Sequence, residues 1–371
     1  MANSSNRQSL LRSLWIVAAI YLALLLGQPA GLDLVNIAAN LRANPLTLLQ
    51  QLVIGLSNGA IIVIVALGYT LVYGIIELVN FAHGDVFMIG AFTALLAVSP
   101  FIVTTATGGA TAPLWAALLG FIPAMVICGL LNAGIERAAY RRLRNSPKLA
   151  SLISAIGVSF IIGNIGLQLG AFGKLAQVGP EFAVFKVLGS NNAAPKSFPV
   201  VLSNDNLLGP DFPIRITQAD VLVIVTALVL MAALNWFVQN TKLGKAMRAT
   251  AQNRDAAAIM GINVDQIIAL TFLIGGALAG AAGMMFGLYN GTVVFTMGFT
   301  AGLRSFTAAV LGGIGNIRGA ALGGILIGIL AAFSDQYLAV RWTNAWVFLI
   351  LVLVLLIRPT GILGSESGDK A

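Results

Sequence analysis

Five residues of one short segment are the first candidates for chemistry in this sequence: Glu77, Asn80, His83, Gly84 and Asp85. Carboxylate, amide and imidazole groups can bind the charged groups of a small substrate, and so can the free backbone groups of an interrupted helix. The segment joins two apolar stretches with almost no loop between them. Polar groups at membrane depth are functional candidates because their burial is costly. We therefore expect a substrate pathway or a gate here.

A polar turn at a membrane interface is the competing interpretation of this segment. In that case Gly84 is a bend and Asp85 caps the helix that follows. His83 by itself is more typical of a hydrogen-bonded structural group than of a proton relay. Both interpretations stay open on the residues alone.

Arg304 lies in a later apolar segment, 296–314, that also contains several Gly and Thr residues. A charge at that depth needs a partner, so we expect Arg304 to pair with Glu77 or Asp85 or to contact a substrate carboxylate. The segment itself is predicted to be broken or re-entrant. The glycine-rich run at 312–319 has no G-x-G-x-x-G pattern and no preceding strand, which favours a tight turn between closely packed helices over a phosphate site.

Residues 241–263 combine Ala, Met and basic side chains, a composition that favours a helix. Gly244 and Gly261 punctuate its ends. A short helix of this kind, held between two membrane helices, suits docking into a groove on another protein. It also suits an amphipathic helix lying on anionic headgroups. Composition alone does not separate these two alternatives.

Several kinds of site are excluded by residue counts. The chain has one Cys (Cys128) and one His (His83), which makes a catalytic zinc or haem site improbable. The phosphate-binding P-loop motif G-x-x-x-x-G-K-[ST] does not occur in the sequence. The most similar segment, Leu243–Ala246, lacks the upstream Gly and the Ser or Thr hydroxyl. No Ser/His/Asp set or carboxylate pair at working spacing is present. We predict that the chain is not an enzyme and binds no cofactor, and that any ATP and Mg belong to partner subunits.

The composition of the 371 residues indicates a membrane protein. Hydrophobic residues make up 58% of the chain and charged residues only 9%, against about a quarter in soluble domains. So few charges cannot cover a soluble surface, which excludes a cytosolic enzyme, a secreted domain and a disordered chain. The 41 Gly residues fit helices that pack closely in a bilayer. The predicted fold class is an all-α polytopic membrane protein.

A bilayer core of about 30 Å needs about 20 apolar residues in a helix. By this measure the sequence predicts a bundle of about ten transmembrane helices with broken or re-entrant segments. The first predicted span could be a cleaved signal peptide, but we favour a retained helix because no clear cleavage site follows. The ten segments are 11–27, 52–75, 85–103, 113–135, 149–172, 220–238, 264–289, 296–314, 319–335 and 344–358.

The net charge of +8 does not point to nucleic acid, because the basic residues lie in short clusters between apolar runs. Positively charged loops favour the cytoplasm. The largest clusters are Arg137–Lys148 and Lys242–Arg254, which makes both termini cytoplasmic. The predicted domains are an N-terminal extension with the first helix at 1–45, a transmembrane domain at 46–363 with an extracytoplasmic loop at 173–219, and a cytoplasmic tail at 364–371.

Five runs of this sequence, among them the segment around Asn80 and His83, resemble the permeases of branched-chain amino-acid ABC importers. The likeness is greatest to the member of the permease pair that has no fused ATPase. The five runs occur in the family's order and cover about residues 50–363. The first 45 residues and the 173–219 loop look longer than the family core, and Arg142 stands where Pro is common. The matching runs are Tyr73–Gly84, Ile135–Arg141, Leu152–Ser159, Ala246–Asn263 and Gly312–Ala320.

The resemblance implies a subunit in the bacterial inner membrane that passes an amino acid across the lipid bilayer. Its implied partners are a second homologous permease, two cytoplasmic ABC ATPases and an extracytoplasmic substrate-binding protein. The ATPase-docking loop of the family corresponds to residues 245–261, which favours docking for that segment. The residues assigned to coupling are Lys245, Arg248, Ala249, Gln252, Asp255 and Gly261.

Four alternatives to this interpretation are considered. Similar permeases carry urea or short amides, and others take a broad set of neutral amino acids. A proton-coupled secondary transporter would use Glu77, His83 and Asp85, but the other spans are poor in acids. An integral-membrane enzyme is disfavoured by the lack of catalytic residues.

Overall fold

The computed structural model describes residues 44–104, 110–144, 146–175, 187–188, 194–358 and 360–364. The predicted first span, most of the N-terminal extension, part of the 173–219 loop and nearly all of the tail lie outside them. Eleven helices occur in the described residues. They are α1 Pro45–Ile76, α2 His83–Val98, α3 Leu114–Ile135, α4 Lys148–Leu175, α5 Gln218–Asn240, α6 Lys242–Gln252, α7 Arg254–Ile259, α8 Val264–Asn290, α9 Met297–Gly312, α10 Ile317–Ser334 and α11 Thr343–Ile357.

Short irregular turns extend several of these helices. A π-helical turn at Glu136–Tyr140 and a 3₁₀ turn at Arg141–Leu143 follow α3, and a π-helical turn at Asp335–Ala339 follows α10. Two-residue strands form two antiparallel pairs, β1 Val103–Thr104 with β2 Ala110–Thr111 and β3 Lys196–Ser197 with β4 Thr292–Val293. The chain is therefore all-helical in architecture, as predicted.

Eight helices of the described residues are long and apolar enough to cross a membrane. They correspond to eight of the ten predicted segments. The predicted segment 296–314 is the helix α9, whose 16 residues span about 24 Å and fall short of a bilayer core. The predicted number of about ten spans is therefore not confirmed. The predicted class, a multi-pass helical membrane protein, is confirmed.

Helix α1 is the centre of the bundle, and almost all of its residues from Gly59 onward are buried. Its sequence is apolar throughout and Pro45 occupies the first turn, where the missing N–H costs nothing. Small residues bring α10 close to it: a Cβ atom on Gly59 would lie 3.0 Å from the Ile325 Cα atom. Such close packing replaces the hydrophobic driving force that is absent between helices in lipid.

Helices α3, α4, α5 and α11 form the periphery. Few residues in their most apolar windows are buried within the chain, in contrast to α1 and α8. The side chains that they expose are large and apolar, including Trp115, Phe160, Trp236 and Phe348. Apolar side chains on the outside are what contact with lipid or with another membrane subunit requires.

The loops that carry the basic clusters collect at one end of the bundle, called here the basic end. It comprises the C-terminus of α1, residues 136–144, helices α6 and α7, and the turn at 313–316. Arg141 and Arg144 both form ion pairs with Asp265 at the start of α8, and Arg144 also pairs with Glu136. These bonds hold the turn after α3 against α8.

The segment predicted as one coupling helix is in fact two helices. Asn253 is extended and separates α6 from α7, and its side chain accepts a hydrogen bond from the Ala256 N–H. An Asn in this position competes with the helix backbone and favours a new N-terminus. Gly261 follows α7 with a φ of +84°, as expected of a helix end. Gly244 does not mark the start, because Thr241 caps α6 and Gly244 lies in its first turn.

Candidate functional site

The connection between α1 and α2 runs back into the bundle. Glu77 ends α1 with a φ of +55°. Helix α2 then begins beside Gly68, since a Cβ atom there would lie 2.7 Å from the His83 Cε1 atom. Gly68 is about two turns before the end of α1. Residues 77–82 therefore double back along α1 as a non-helical segment, and we call α1, this returning segment and α2 together the interrupted helix. Breaks of this kind in the helical structure occur at substrate sites in some transporters.

Buried amides fix this returning segment to the rest of the bundle. The Asn80 Nδ2 atom donates to the Asn132 Oδ1 atom at 2.9 Å, and the Asn132 Nδ2 atom donates to the Phe272 carbonyl oxygen at 2.7 Å. The Tyr140 hydroxyl donates to the Asn80 Oδ1 atom at 3.2 Å. All of these side chains are buried. Asn80 is thus engaged with α3 and α8, and its fixed partners position the returning segment.

Asn132 was missed by the sequence analysis. It is a buried amide inside the apolar helix α3, and an intramembrane polar residue is the signal that could have found it. Tyr140 entered the sequence analysis only as part of the run Ile135–Arg141 that resembles the permease family, and it was assigned no role.

His83 is completely enclosed and stands edge-on to the Tyr69 ring, with 4.7 Å between the ring centroids. Neither ring nitrogen forms a hydrogen bond of regular geometry with the described residues, although the Val65 carbonyl group is near. The expected hydrogen-bonded His is therefore a packed aromatic group in this structure. Its neighbours include Gly68 and Tyr69 of α1, and no acid lies on a hydrogen-bonded path to it among the described residues.

Gly84 and Asp85 lie where the first turns of α2 and α9 meet. A Cβ atom on Gly84 would overlap the Gly298 carbonyl and lie 2.8 Å from the Gly302 Cα atom. The Asp85 carboxylate is buried and accepts a hydrogen bond from the Ser159 hydroxyl on α4. The residue that precedes α2 is Ala82, and no side chain caps that helix. Asp85 therefore does not act as the predicted cap, although its charge lies favourably in the first turn.

Glu77 and Arg304 are placed away from this meeting point. Glu77 lines a cleft of about 290 Å³ at the basic end, together with Arg144 and Arg254. The Arg304 Nε atom donates to the Asn344 Oδ1 atom at 3.0 Å, and Asp335 is its charged neighbour. The expected pairing of Arg304 with Glu77 or Asp85 is not formed. Gly302 faces α2, and two further residues turn a helix by about 200°, so Arg304 points to α10 and α11.

The residues assigned to coupling form the outer surface of α6 and α7. Lys245, Arg248, Gln252, Asp255 and Gly261 are exposed, and Ala249 is half-buried. The opposite face of the two helices is buried through Met247, Thr250 and Ala257. The Arg248 guanidinium donates to the Val238 carbonyl oxygen at the end of α5. At the end of α7, Ile259 and Met260 are 86% and 82% exposed, which leaves an apolar tip projecting from a basic surface.

Arg254 connects this surface to the interrupted helix. Its Nη2 atom donates to the Ile76 carbonyl oxygen at 2.8 Å, and the Ile75 carbonyl oxygen lies at 3.4 Å. The last carbonyl groups of a helix have no hydrogen-bond partner within the helix, and a cation is favourable at this end. The sequence analysis counted Arg254 among the basic residues of the loop but assigned it no role, because no local pattern identifies a partner 178 positions away.

The comparisons with known proteins agree over nearly the whole chain. Residues 51–357 match the family described as branched-chain amino acid transport system, permease component. The high-affinity branched-chain amino acid transport system permease protein LivH of Escherichia coli K12 is 38% identical over 325 residues, which cover 87% of this chain and 97% of LivH.

Two further relatives extend the likeness to other organisms. The corresponding protein BraD of Pseudomonas aeruginosa is 38% identical over 324 residues, with 87% of this chain and 97% of BraD covered. A probable LivH of Methanocaldococcus jannaschii is 26% identical over 82% of this chain and 89% of its own length. No solved structure is significantly similar to this chain. With its family match, its multi-pass helices and its interrupted helix, this chain belongs to the permease components of branched-chain amino acid transport systems.

Proposed function

We propose that this chain is the membrane-spanning subunit of an ATP-driven importer that moves branched-chain amino acids across the bacterial inner membrane. The observation that carries the proposal is the 38% identity over 97% of the length of LivH and of BraD. The names of those relatives favour branched-chain amino acids over urea or short amides. The eight apolar helices support a location in the bilayer.

The energy for transport comes, in this proposal, from two separate ATPases that bind the basic end. Supporting evidence is the surface of α6 and α7, where an exposed apolar tip at Ile259 and Met260 projects beside Lys245 and Arg248. An amphipathic helix with such a tip fits a groove on a partner protein. ATP and Mg are then held by the ATPases, and the basic end faces the cytoplasm in accord with its positive charge.

Movement of the ATPases reaches the substrate path through Arg254. Helix α7 begins at Arg254, and its guanidinium is bonded to the last carbonyls of α1. The next residues are the returning segment 77–82, which leads into α2, and Gly84 in the first turn of α2 meets the first turn of α9. A shift of α7 would therefore pull on the interrupted helix directly. Two packings of this region would give the two access states that alternating transport requires.

A second permease and an extracytoplasmic binding protein complete the proposed assembly. The peripheral helices α3, α4, α5 and α11 expose apolar faces that a homologous subunit or lipid would cover. The binding protein delivers the amino acid to the end opposite α6 and α7. Specificity then lies mainly with the binding protein, because release inside the cell requires weak binding within the bundle.

The test is reconstitution of the chain with its partner subunits in proteoliposomes. With binding protein outside and ATP inside, we expect uptake of radiolabelled leucine that stops when ATP is omitted. Uptake that persists without ATP and collapses with a protonophore would refute the proposal in favour of a proton-coupled transporter. Concentrative uptake by the chain alone would refute it as well.

A further inference from the structure

A cavity of about 430 Å³ opens among α1, α8, α9 and α10 at the end of the bundle away from α6 and α7. Its position is marked by Asn290, the last residue of α8, and by Asp335, which directly follows α10. Pockets of this size, about 300–1,000 Å³, are typical of small-molecule sites. The residues discussed so far as a pathway do not line it, apart from Arg304.

The cavity presents two opposite charges that are held apart. Arg304 and Asp335 are its charged lining residues in the described part of the chain. The Arg304 Nε atom is bonded to Asn344, while the Asp335 carboxylate accepts a hydrogen bond from the Thr343 hydroxyl. The two side chains are close enough to interact electrostatically, yet they form no direct ion pair in this structure. Each charge therefore has a fixed support on α11 and an open side toward the cavity.

The terminal nitrogen atoms of Arg304 remain available for a carboxylate. Only its Nε atom donates a hydrogen bond within the described residues. A guanidinium can then bind a carboxylate end-on through two parallel hydrogen bonds. Asp335 offers the complementary acceptor for an ammonium group. A zwitterion inserted between them gains both contacts and does not have to break an existing ion pair.

The wall that α1 and α10 contribute to the cavity is mainly aliphatic. Ile61, Ile62 and Val65 line it from α1, and Ala331 and Ala332 from α10. Asn58, Asn290, Thr296 and Thr300 also line the cavity with polar side chains. Ser305 differs from them because its hydroxyl is buried and has no hydrogen-bond partner among the described residues. A buried polar atom without a partner is a place where a ligand or water is expected. The lining therefore combines two charges and several uncharged polar groups with an aliphatic surface for a branched side chain.

We propose that this cavity is a transient binding site for the amino acid on its way from the binding protein into the bundle. The inference rests on the proposed function and assigns a site to it. Arg304 binds the α-carboxylate, Asp335 binds the α-ammonium, and the aliphatic wall from α1 and α10 contacts the side chain. The end of the bundle at which the cavity lies is the one to which the binding protein would deliver its substrate.

The test uses the complete reconstituted importer with three variants of this chain. In Arg304→Gln and Asp335→Asn one charge of the pair is removed, and we expect the maximal rate of leucine uptake to fall about tenfold because a charge-assisted bond is lost. The KM should stay unchanged, since the binding protein sets it. Arg341→Gln removes an exposed basic residue at the same end that does not line the cavity, and it should transport normally. Co-purification of the ATPases reports intact assembly.

A direct probe of occupancy is a diazirine analogue of leucine, photolysed in the importer during turnover. Peptide mapping should place its crosslinks in α1, α9 and α10, and Arg304→Gln should abolish them. If the Arg304→Gln importer does not assemble, the crosslinks of the unaltered importer test the proposal by themselves. Crosslinks confined to helices other than α1, α9 and α10 would overturn the proposed site. Normal leucine uptake by both charge variants would overturn it too, while leaving the proposed function intact. Failure of the unaltered importer to take up leucine would instead count against the function.

Discussion

The guanidinium of Arg254 is bonded to the main-chain carbonyl oxygen of Ile76 at 2.8 Å, across 178 positions of sequence. Ile76 is the last residue of α1, and Arg254 is the first residue of α7. The bond therefore joins the surface proposed to bind the ATPases to the helix that is interrupted just afterwards. It is one direct connection between the two regions that a coupled transporter has to link.

Substitution of Arg254 by Gln should uncouple ATP hydrolysis from transport. A hydrogen bond from a charged group contributes about 1.5–3 kcal/mol, so we expect leucine uptake per ATP hydrolysed to fall about tenfold or more. Arg254→Lys keeps the charge and one donor and should lose less. The measurement is uptake and phosphate release in the same proteoliposomes. An unchanged ratio in Arg254→Gln would show that this bond does not carry the coupling.

Substitution of Gly84 by Ala should destabilise the protein, although Ala normally favours a helix by about 1 kcal/mol over Gly. The new methyl group would overlap the backbone of Gly298 at the meeting of α2 and α9, and overpacking costs about 1–3 kcal/mol. Gly157→Ala on α4 is the matched control, because apart from its own helix no atom of the described residues lies within 4 Å of its Cβ position. Thermal unfolding of the purified complex should show a lower midpoint for Gly84→Ala only. Equal midpoints would contradict the close contact.

Removal of the Asn132 amide should loosen the returning segment. Asn132→Ala leaves the Asn80 amide and the Phe272 carbonyl without their partner, and an unsatisfied buried polar group costs about 1–3 kcal/mol. We expect a lower unfolding midpoint and faster hydrogen exchange in residues 77–82. Asn240→Ala serves for comparison, because the Asn240 amide bonds the Trp236 carbonyl on an exposed surface. If both variants behave alike, the buried network does not hold the segment.

The apolar tip at the end of α7 should be essential for ATPase binding. Ile259→Ser combined with Met260→Ser removes two exposed apolar side chains, each worth about 1.5–3 kcal/mol when buried in an interface. We expect at least a tenfold loss of ATPase recovered with the tagged chain. The corresponding change of Leu207 and Leu208 to Ser, two exposed residues in the loop before α5, should have no effect. Full recovery of ATPase with the first variant would exclude this tip from the interface.

Some of the site could be predicted from sequence because it depends on local composition. The density of polar residues from Glu77 to Asp85 identified the interrupted helix, and the basic run around Arg248 identified the exposed surface at one end. The returning direction of residues 77–82 could not be predicted, because it depends on Gly68 making room for His83. The roles of Asn132 and Arg254 could not be predicted either, because their hydrogen-bond partners lie on other helices.

The sequence by itself determined that this is a multi-pass helical membrane protein, because apolar length and the scarcity of charges are sufficient to require a bilayer. It also determined where eight of the spans lie and where the basic residues cluster. Only the tertiary structure decided which side chains meet. Arg304 faces Asp335 and Asn344, not Asp85, because each residue turns a helix by about 100° and a partner is set by how neighbouring helices are rotated and packed.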